Sequence, residues 1–154
     1  IAENSIRVII LDQSDKITYE KSRFEILSPN QEFLKSKELN NTTLVAELFS
    51  NNSKSLFTGD IGFRVEDYLV KNGIGKIDIL KVSHHGSKTS SGANFLTVLA
   101  PKIAGIEVGK NSYDHPTKEA LGRLASVGAK IYRTDKDGTI KVLIKDQKIR
   151  IFRE

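Results

Sequence analysis

Short apolar runs separated by polar loops occupy the first third of the chain and predict β-strands. A polar segment, 12–21, separates the first two runs and predicts a loop or a hairpin connection, and the asparagines of SNNSK predict a longer hairpin loop between the last two. The chain therefore opens with an all-β region. The predicted strands are Ile6–Leu11, Phe24–Leu27, Thr43–Phe49 and Lys54–Phe57.

After residue 60 the spacing of apolar residues changes and predicts alternating helices and strands. The segment DIGFRVEDYLVKNG has near-helical spacing and ends in Asn72-Gly73, a helix stop. The turn TDKDG then leads into a terminal hairpin, Thr139–Ile144 with Lys148–Phe152. This order indicates a mixed α/β sheet. The other elements are strands at Ile77–Val82, Ile103–Val108 and Lys130–Arg133, a helix at Ala93–Leu99, and a helix from about Thr117 to Gly128.

Length and composition limit what the protein can be. The 154 residues suffice for one domain, and no apolar run approaches the ~18 residues of a membrane span, so we expect no membrane segment in this chain. Without cysteine, any metal site must use His, Asp, Glu or Asn. The absence of Met and the opening Ile-Ala-Glu-Asn indicate a piece of a longer protein. The net charge of +5 is compatible with a polyanionic partner but does not identify one.

The chemistry-bearing side chains follow the predicted parallel strands. Ligands bind at the carboxyl edge of open α/β sheets, where the ends of parallel strands meet. Asp60 follows the first of these strands, His84 and His85 follow the second, and His115 follows the third. Imidazole and carboxylate bind zinc, manganese and iron, so the sequence predicts a divalent-metal site there.

Other catalytic patterns fit less well. The chain has no Gly-x-Ser-x-Gly elbow, no P-loop and no dinucleotide glycine fingerprint. The run GSKTSS suggests phosphate binding by amides and hydroxyls, while Ser90 or Ser91 could instead cap the following helix. Ser87, Lys88 and Thr89 are therefore candidate substrate-binding residues.

Five segments in order resemble one family. FEILSPNQEFLKSKELNNTTLVAEL, LFTGD, ILKVSHHGSKTSS, VGKNSYDHPT and GAKIYRTDKDGTI are similar to the metallo-β-lactamase-like domain at the C-terminal end of ComEC competence proteins and in their soluble relatives. The resemblance implies an αββα sandwich with two divalent metal ions, Zn or Mn, that hydrolyses phosphodiesters or other esters. It also implies DNA as the substrate.

The resemblance assigns roles to individual residues. Asp60 matches the aspartate that usually bridges the two metals. His84, the first residue clear of the strand, is the preferred match to a metal-ligand histidine, with His85 as the alternative. Asn41 lies near the position of another histidine ligand, and His115 matches a histidine expected to contact the leaving group or the phosphate.

One motif of the family is missing from the chain. The His-x-His/Asp-x-Asp-His run, which supplies most ligands to both metals, is absent and normally lies upstream. Residues 1–154 thus resemble about the second half of the sandwich, one partial domain. Three hypotheses follow: part of an active hydrolase, a non-catalytic nucleic-acid-binding module, or an unrelated α/β domain whose histidines only form hydrogen bonds.

The missing half has two further consequences. An open sheet would expose apolar surface and strand edges, so we expect pairing with the missing half-domain or a homodimer. A ComEC parent would place the domain on the extracytoplasmic side of the membrane, whereas a soluble relative would be cytoplasmic or secreted.

Overall fold

A seven-stranded mixed sheet forms the centre of the computed structural model, which describes residues 8–145 and 148–154. The first four strands pair antiparallel with their neighbours, and the fourth to the seventh strands pair parallel with theirs. Chain order is also the order across the sheet. The strands are β1 Lys16–Tyr19, β2 Ser22–Ser28, β3 Val45–Ser50, β4 Ser53–Phe57, β5 Ile79–Lys81, β6 Ile103–Ile106 and β7 Lys130–Arg133.

Three helices connect the parallel strands. They are α1 Phe63–Lys71, α2 Ala93–Leu99 and α3 Lys118–Ser126, and a single helical turn, α4 Thr134–Asp137, follows β7. Thr117 begins α3 by accepting the Ala120 N–H on its hydroxyl. No helix in residues 8–145 and 148–154 is long and apolar enough to cross a membrane.

The core lies between the sheet and these helices. Leu56, Leu80 and Ala104 on the central strands are fully buried in one apolar cluster with side chains from all three helices. Each fully buried leucine contributes about 1.5–3 kcal/mol through the removal of its apolar surface from water. The helical contributors are Val65, Leu69, Phe95, Leu96, Leu99 and Leu124.

A second, two-stranded sheet lies over the central strands. It consists of β8 Ile140–Lys145 and β9 Lys148–Arg153. A cleft of about 810 Å³ lies between it and the seven-stranded sheet. Apolar side chains line both walls, including Phe57, which is 42% exposed, and Val142, which is 38% exposed.

Three predictions of local structure need correction. Val8–Leu11 forms no strand, because Val8, Ile9 and Ile10 remain exposed without a partner strand among the described residues; the first part of that prediction, Ile6 and Arg7, lies outside them. β1 instead lies inside the segment expected to be a connection. The TDKDG segment is the helical turn α4 rather than a tight turn.

Candidate functional site

The loops after β4, β5 and β6 meet at one edge of the sheet, as the strand order requires. The N–H of His84 donates to the Gly59 carbonyl at 3.0 Å, which joins the second loop to the first. His85 Nδ1 lies 2.7 Å from the carbonyl oxygen of Glu107, which follows β6. The predicted edge therefore brings Asp60 and the histidines together.

Ser83–Gly86, here called the histidine turn, has an unusual backbone. Its two histidines and His115 form the histidine cluster. His84 and His85 both have positive φ, 47° and 53°, although neither is glycine. Left-handed conformations cost about 1–2 kcal/mol for each non-glycine residue, so surrounding bonds must hold the turn in place. The Ser87 N–H donates to the His84 carbonyl at 2.9 Å, and the Thr117 N–H donates to the Gly86 carbonyl at 2.9 Å.

Two glycines allow the loops to approach one another closely. Gly86 has a φ of 82°, and a Cβ there would lie 2.5 Å from the Pro116 Cβ. Gly59 has a φ of 53°, and a Cβ there would overlap the side chain of Thr43. The contact at Gly86 brings the segment after β6 against the histidine turn, so the rings of His115 and His84 lie 5.5 Å apart.

Asp60 and His85 bring a carboxylate and an imidazole together at this edge. The Asp60 Oδ1 lies 3.6 Å from the His85 Nε2. Because a carbonyl can only accept, His85 Nδ1 carries the proton donated to Glu107, and Nε2 faces the carboxylate. When the ring is neutral, Nε2 presents a lone pair, and the two facing electron donors suit a cation between them.

His84 and His115 occupy different surroundings. The Asn40 side-chain amide lies 3.4 Å from the His84 Nδ1, so His84 accepts there and its neutral ring carries the proton on Nε2. Partial burial, and then the positive charges that His84 and His85 carry when protonated, lower the pKa of His115 from its ordinary value. His115 therefore favours its neutral form more than an isolated histidine does.

The loop that follows the histidine turn is fixed by two side chains from flanking helices. Glu66 on α1 accepts the N–H groups of Ser91 at 2.5 Å and Gly92 at 2.8 Å. Arg123 on α3 donates to the carbonyls of Lys88, Ser90 and Ser91. The Ser90 hydroxyl in turn donates to the Ser83 carbonyl, which connects this loop to the histidine turn.

The predicted substrate-binding residues lie in two places. Asn41 is buried, and its amide donates to Ser36 and Glu38 within its own loop. Ser87 is buried with its hydroxyl 3.0 Å from that of Thr89, whereas Lys88 is exposed beside them. The neighbouring Asn40, rather than Asn41, contacts the histidine cluster.

Several residues that build the edge were not among the candidates predicted from the sequence. Glu107 fell inside the predicted strand Ile103–Val108, so the strand-end argument passed over it, whereas β6 ends at Ile106. Glu66 falls among apolar residues of the buried face of α1, which is a signal for a paired carboxylate. Arg123 and Asn40 carry no comparable signal, because their partners are backbone groups or residues distant in sequence.

The donor types at this edge fit a divalent metal, but the described side chains provide too few of them. Ligand atoms around a tetrahedral zinc ion lie about 3.4 Å apart, close to the separation of Asp60 and His85. Within residues 8–145 and 148–154, however, no group of three His, Asp or Glu side chains is placed to hold a metal ion. Further ligands are therefore needed for a tight site.

Comparison with solved structures shows the fold that the chain shares. The chain is similar to the crystal structure of a candidate metal-dependent hydrolase from Parabacteroides distasonis, with a TM-score of 0.51 and 14% identity over 80% of this chain and 56% of that one. This similarity confirms the metallo-β-lactamase-like α/β fold class expected from the sequence.

Relatives of known name identify the group more narrowly. No family model matches the chain. It is 33% identical over 147 residues to ComE operon protein 3 of Bacillus subtilis, covering 94% of the chain and 19% of that protein. It is 31% identical over 138 residues to competence protein ComA of Neisseria gonorrhoeae, covering 84% of the chain and 20% of that protein. Recombination protein 2 of Haemophilus influenzae is 28% identical to the chain over 129 residues, covering 83% of the chain and 16% of that protein.

The expected resemblance to competence proteins is thus confirmed over most of the chain. The chain is homologous to one segment of these proteins and spans about a fifth of the length of each.

Proposed function

We propose that the chain is part of a metal-dependent phosphodiesterase that acts on DNA, and that Asp60 and His85 supply ligands to its metal site. The observation that carries this proposal is the 3.6 Å separation of the Asp60 Oδ1 and the His85 Nε2. The bond from His85 Nδ1 to the Glu107 carbonyl fixes the ring in the orientation seen in many metal-bound histidines.

The proposed cofactor is a divalent ion, Zn or Mn, with two ions in a complete domain. When bound, such ions lower the pKa of a water molecule and polarise a phosphoryl oxygen. Asp60 and His85 would hold the metal, with His84 beside them. His115, whose pKa is lowered by partial burial, lies against His84 and would contact the phosphate or the leaving group.

We propose that the remaining ligands come from a second half of the sandwich, which makes residues 1–154 one partial domain. The apolar cleft between the central strands and the β8–β9 pair supports this, since a further sheet packed there would cover Phe57 and Val142. A homodimer through the same face is the alternative. Sedimentation of the purified chain distinguishes them, because only the homodimer predicts a concentration-dependent doubling of mass.

DNA is proposed as the substrate because of the relatives and the charge of the chain. Two of the relatives carry competence or recombination in their names. The net charge of +5 favours a polyanion, and Lys88 is exposed next to the histidine turn. Ser87 and Thr89 would act by ordering this loop rather than by touching the phosphate directly, given their bond to each other.

Hydrolysis of bis(p-nitrophenyl) phosphate and of DNA, with added Zn²⁺ or Mn²⁺, tests the proposal. The assay uses the chain alone and the chain extended by sequence that contains the missing ligand run. We expect hydrolysis in the extended form and its loss in Asp60→Asn with an unchanged circular dichroism spectrum. An extended Asp60→Asn protein with full activity would remove Asp60 from the mechanism.

A non-catalytic nucleic-acid-binding module is the second candidate function. The absence of a three-ligand cluster among the described residues favours it. This candidate predicts DNA binding that weakens steeply with salt and needs no metal, and no hydrolysis in any extended form.

A further inference from the structure

The loop between β6 and α3 is held rigid by one side chain. Asn111 Oδ1 accepts the N–H groups of Tyr113 and His115, each at 3.0 Å. Asn111 Nδ2 donates to the carbonyls of Gly109 and His115, each at 2.9 Å. Four bonds from one amide fix the backbone of this loop, including the backbone of the residue at its tip.

That tip presents an exposed aromatic ring next to the candidate site. Tyr113 is 75% exposed, and its ring lies 5.8 Å from the ring of His115 with 31° between the planes. His115 in turn lies 5.5 Å from His84. The three rings form a row that leads from solvent to the histidine cluster.

The surface around Tyr113 is concave and carries charges of both signs. A cleft of about 710 Å³ contains Tyr113 and His115 together with two exposed lysines, Lys88 and Lys118. Asp114 and Glu119 line the same cleft and balance the lysine charges. Because the cleft has no net positive charge, attraction of phosphate alone does not account for a ligand here. The exposed ring is the distinctive feature.

We propose that Tyr113 is a stacking platform for an unpaired base of single-stranded nucleic acid, next to the phosphate that reaches the histidine cluster. A base presents its flat face only when it is unpaired and unstacked, and stacking on an aromatic side chain contributes about 1–3 kcal/mol per base. Lys88 and Lys118 contact the backbone on either side. This inference rests on the proposed action of the site on DNA and adds the strand form that the site takes.

Binding of oligodeoxythymidine and of an abasic oligomer with the same number of phosphates tests the proposal. Fluorescence anisotropy is measured for the wild-type chain, Tyr113→Phe, Tyr113→Ala and Tyr19→Ala. Tyr19 is a matched control because it is also 75% exposed but lies on β1. We expect Tyr113→Ala to weaken binding of oligodeoxythymidine about 5- to 150-fold, with no change for the abasic oligomer. Tyr113→Phe and Tyr19→Ala should bind as the wild type does.

Two outcomes overturn the stacking role. One is equal affinity of wild type and Tyr113→Ala for oligodeoxythymidine, including the case in which neither binds. The other is an equal loss of affinity for oligodeoxythymidine and for the abasic oligomer, which would indicate a general electrostatic or structural effect. Zn²⁺ or Mn²⁺ affinity, measured on the same proteins, reports the proposed metal site separately. If Tyr113→Ala still binds metal, and the wild type binds oligodeoxythymidine no better than the abasic oligomer, only the stacking role is refuted.

Discussion

Glu66 on α1 and Arg123 on α3 bind complementary backbone groups of one loop. Glu66 accepts two of its N–H groups, and Arg123 donates to three of its carbonyls. The same loop is bonded to the histidine turn through Ser90 and the Ser83 carbonyl. The position of the turn therefore depends on two helices that contribute no candidate ligand.

Glu66 predicts a specific pH dependence of stability. Burial raises its pKa from 4.5 to about 7, although the N–H groups of Gly92 and Ser91 oppose the rise. Between these values the folded protein binds more protons than the unfolded chain. The free energy of unfolding should therefore fall by up to about 3 kcal/mol as the pH rises through this window, and level off above it.

Comparison with Glu66→Gln isolates this effect. The amide cannot titrate, so the difference in unfolding free energy between the variant and the wild type should vary with pH over the same window. Glu47, whose pKa burial also raises, is present in both proteins and cancels. Urea unfolding at several pH values measures the difference. Parallel curves for the two proteins would mean that Glu66 does not titrate there.

Arg123→Lys is expected to destabilise the fold by about 2–3 kcal/mol. A lysine ammonium lacks the planar fork that reaches three carbonyls, so the partly buried carbonyls of Ser90 and Ser91 lose donors. Arg64→Lys is the matched control, because Arg64 pairs with Glu32 with both side chains more than half exposed. Such pairs contribute about 0–1 kcal/mol. Equal losses of unfolding free energy in the two variants, measured with urea, would show that the three bonds of Arg123 add no more stability than an exposed ion pair.

Gly86→Ala and Gly73→Ala separate backbone strain from close packing. Both glycines have a φ of 82°, but a Cβ at Gly73 meets nothing within 4 Å, whereas one at Gly86 meets Pro116. Gly73→Ala should cost about 1–2 kcal/mol from the left-handed backbone alone. Gly86→Ala should cost clearly more, and should also shift the ring NMR signals of His84 and His115. Identical costs, with unmoved ring signals, would show that the contact with Pro116 relaxes freely.

Most of the fold could be predicted from the sequence because the spacing of apolar residues in most segments agrees with the strand or helix that the segment forms. α2 and β7 were predicted with their observed ends, since Pro101 and the turn residues mark them. The error at Val8–Leu11 arose because apolar β-branched residues form a strand only when a neighbouring strand accepts their backbone bonds. β1 was missed for the opposite reason: KITY is short and exposed within a mostly polar segment, and its pairing with β2 defines it.

The site was predictable as an edge but not as a set of contacts. Strand order alone brings Asp60 and the histidines to one place. The sequence could not distinguish His84 from His85, because their positive φ values turn the two side chains toward different partners. His84 reaches Asn40, while His85 reaches Asp60 and the Glu107 carbonyl. Those partners depend on tertiary structure.

That distinction yields a prediction for metal binding. In the chain extended by the missing ligand run, His85→Ala and Asp60→Asn should each lower the affinity for Zn²⁺ or Mn²⁺ about 10- to 100-fold or more, because each removes one of two facing ligands. His84→Ala should lower it less, since the Asn40 amide occupies the Nδ1 of His84 and the proton of the neutral ring sits on Nε2. Isothermal titration calorimetry measures the affinities, with a chelator-treated protein as the starting state. If His84→Ala loses more affinity than His85→Ala, the first histidine of the pair is the ligand and the ring orientations must change when the metal binds.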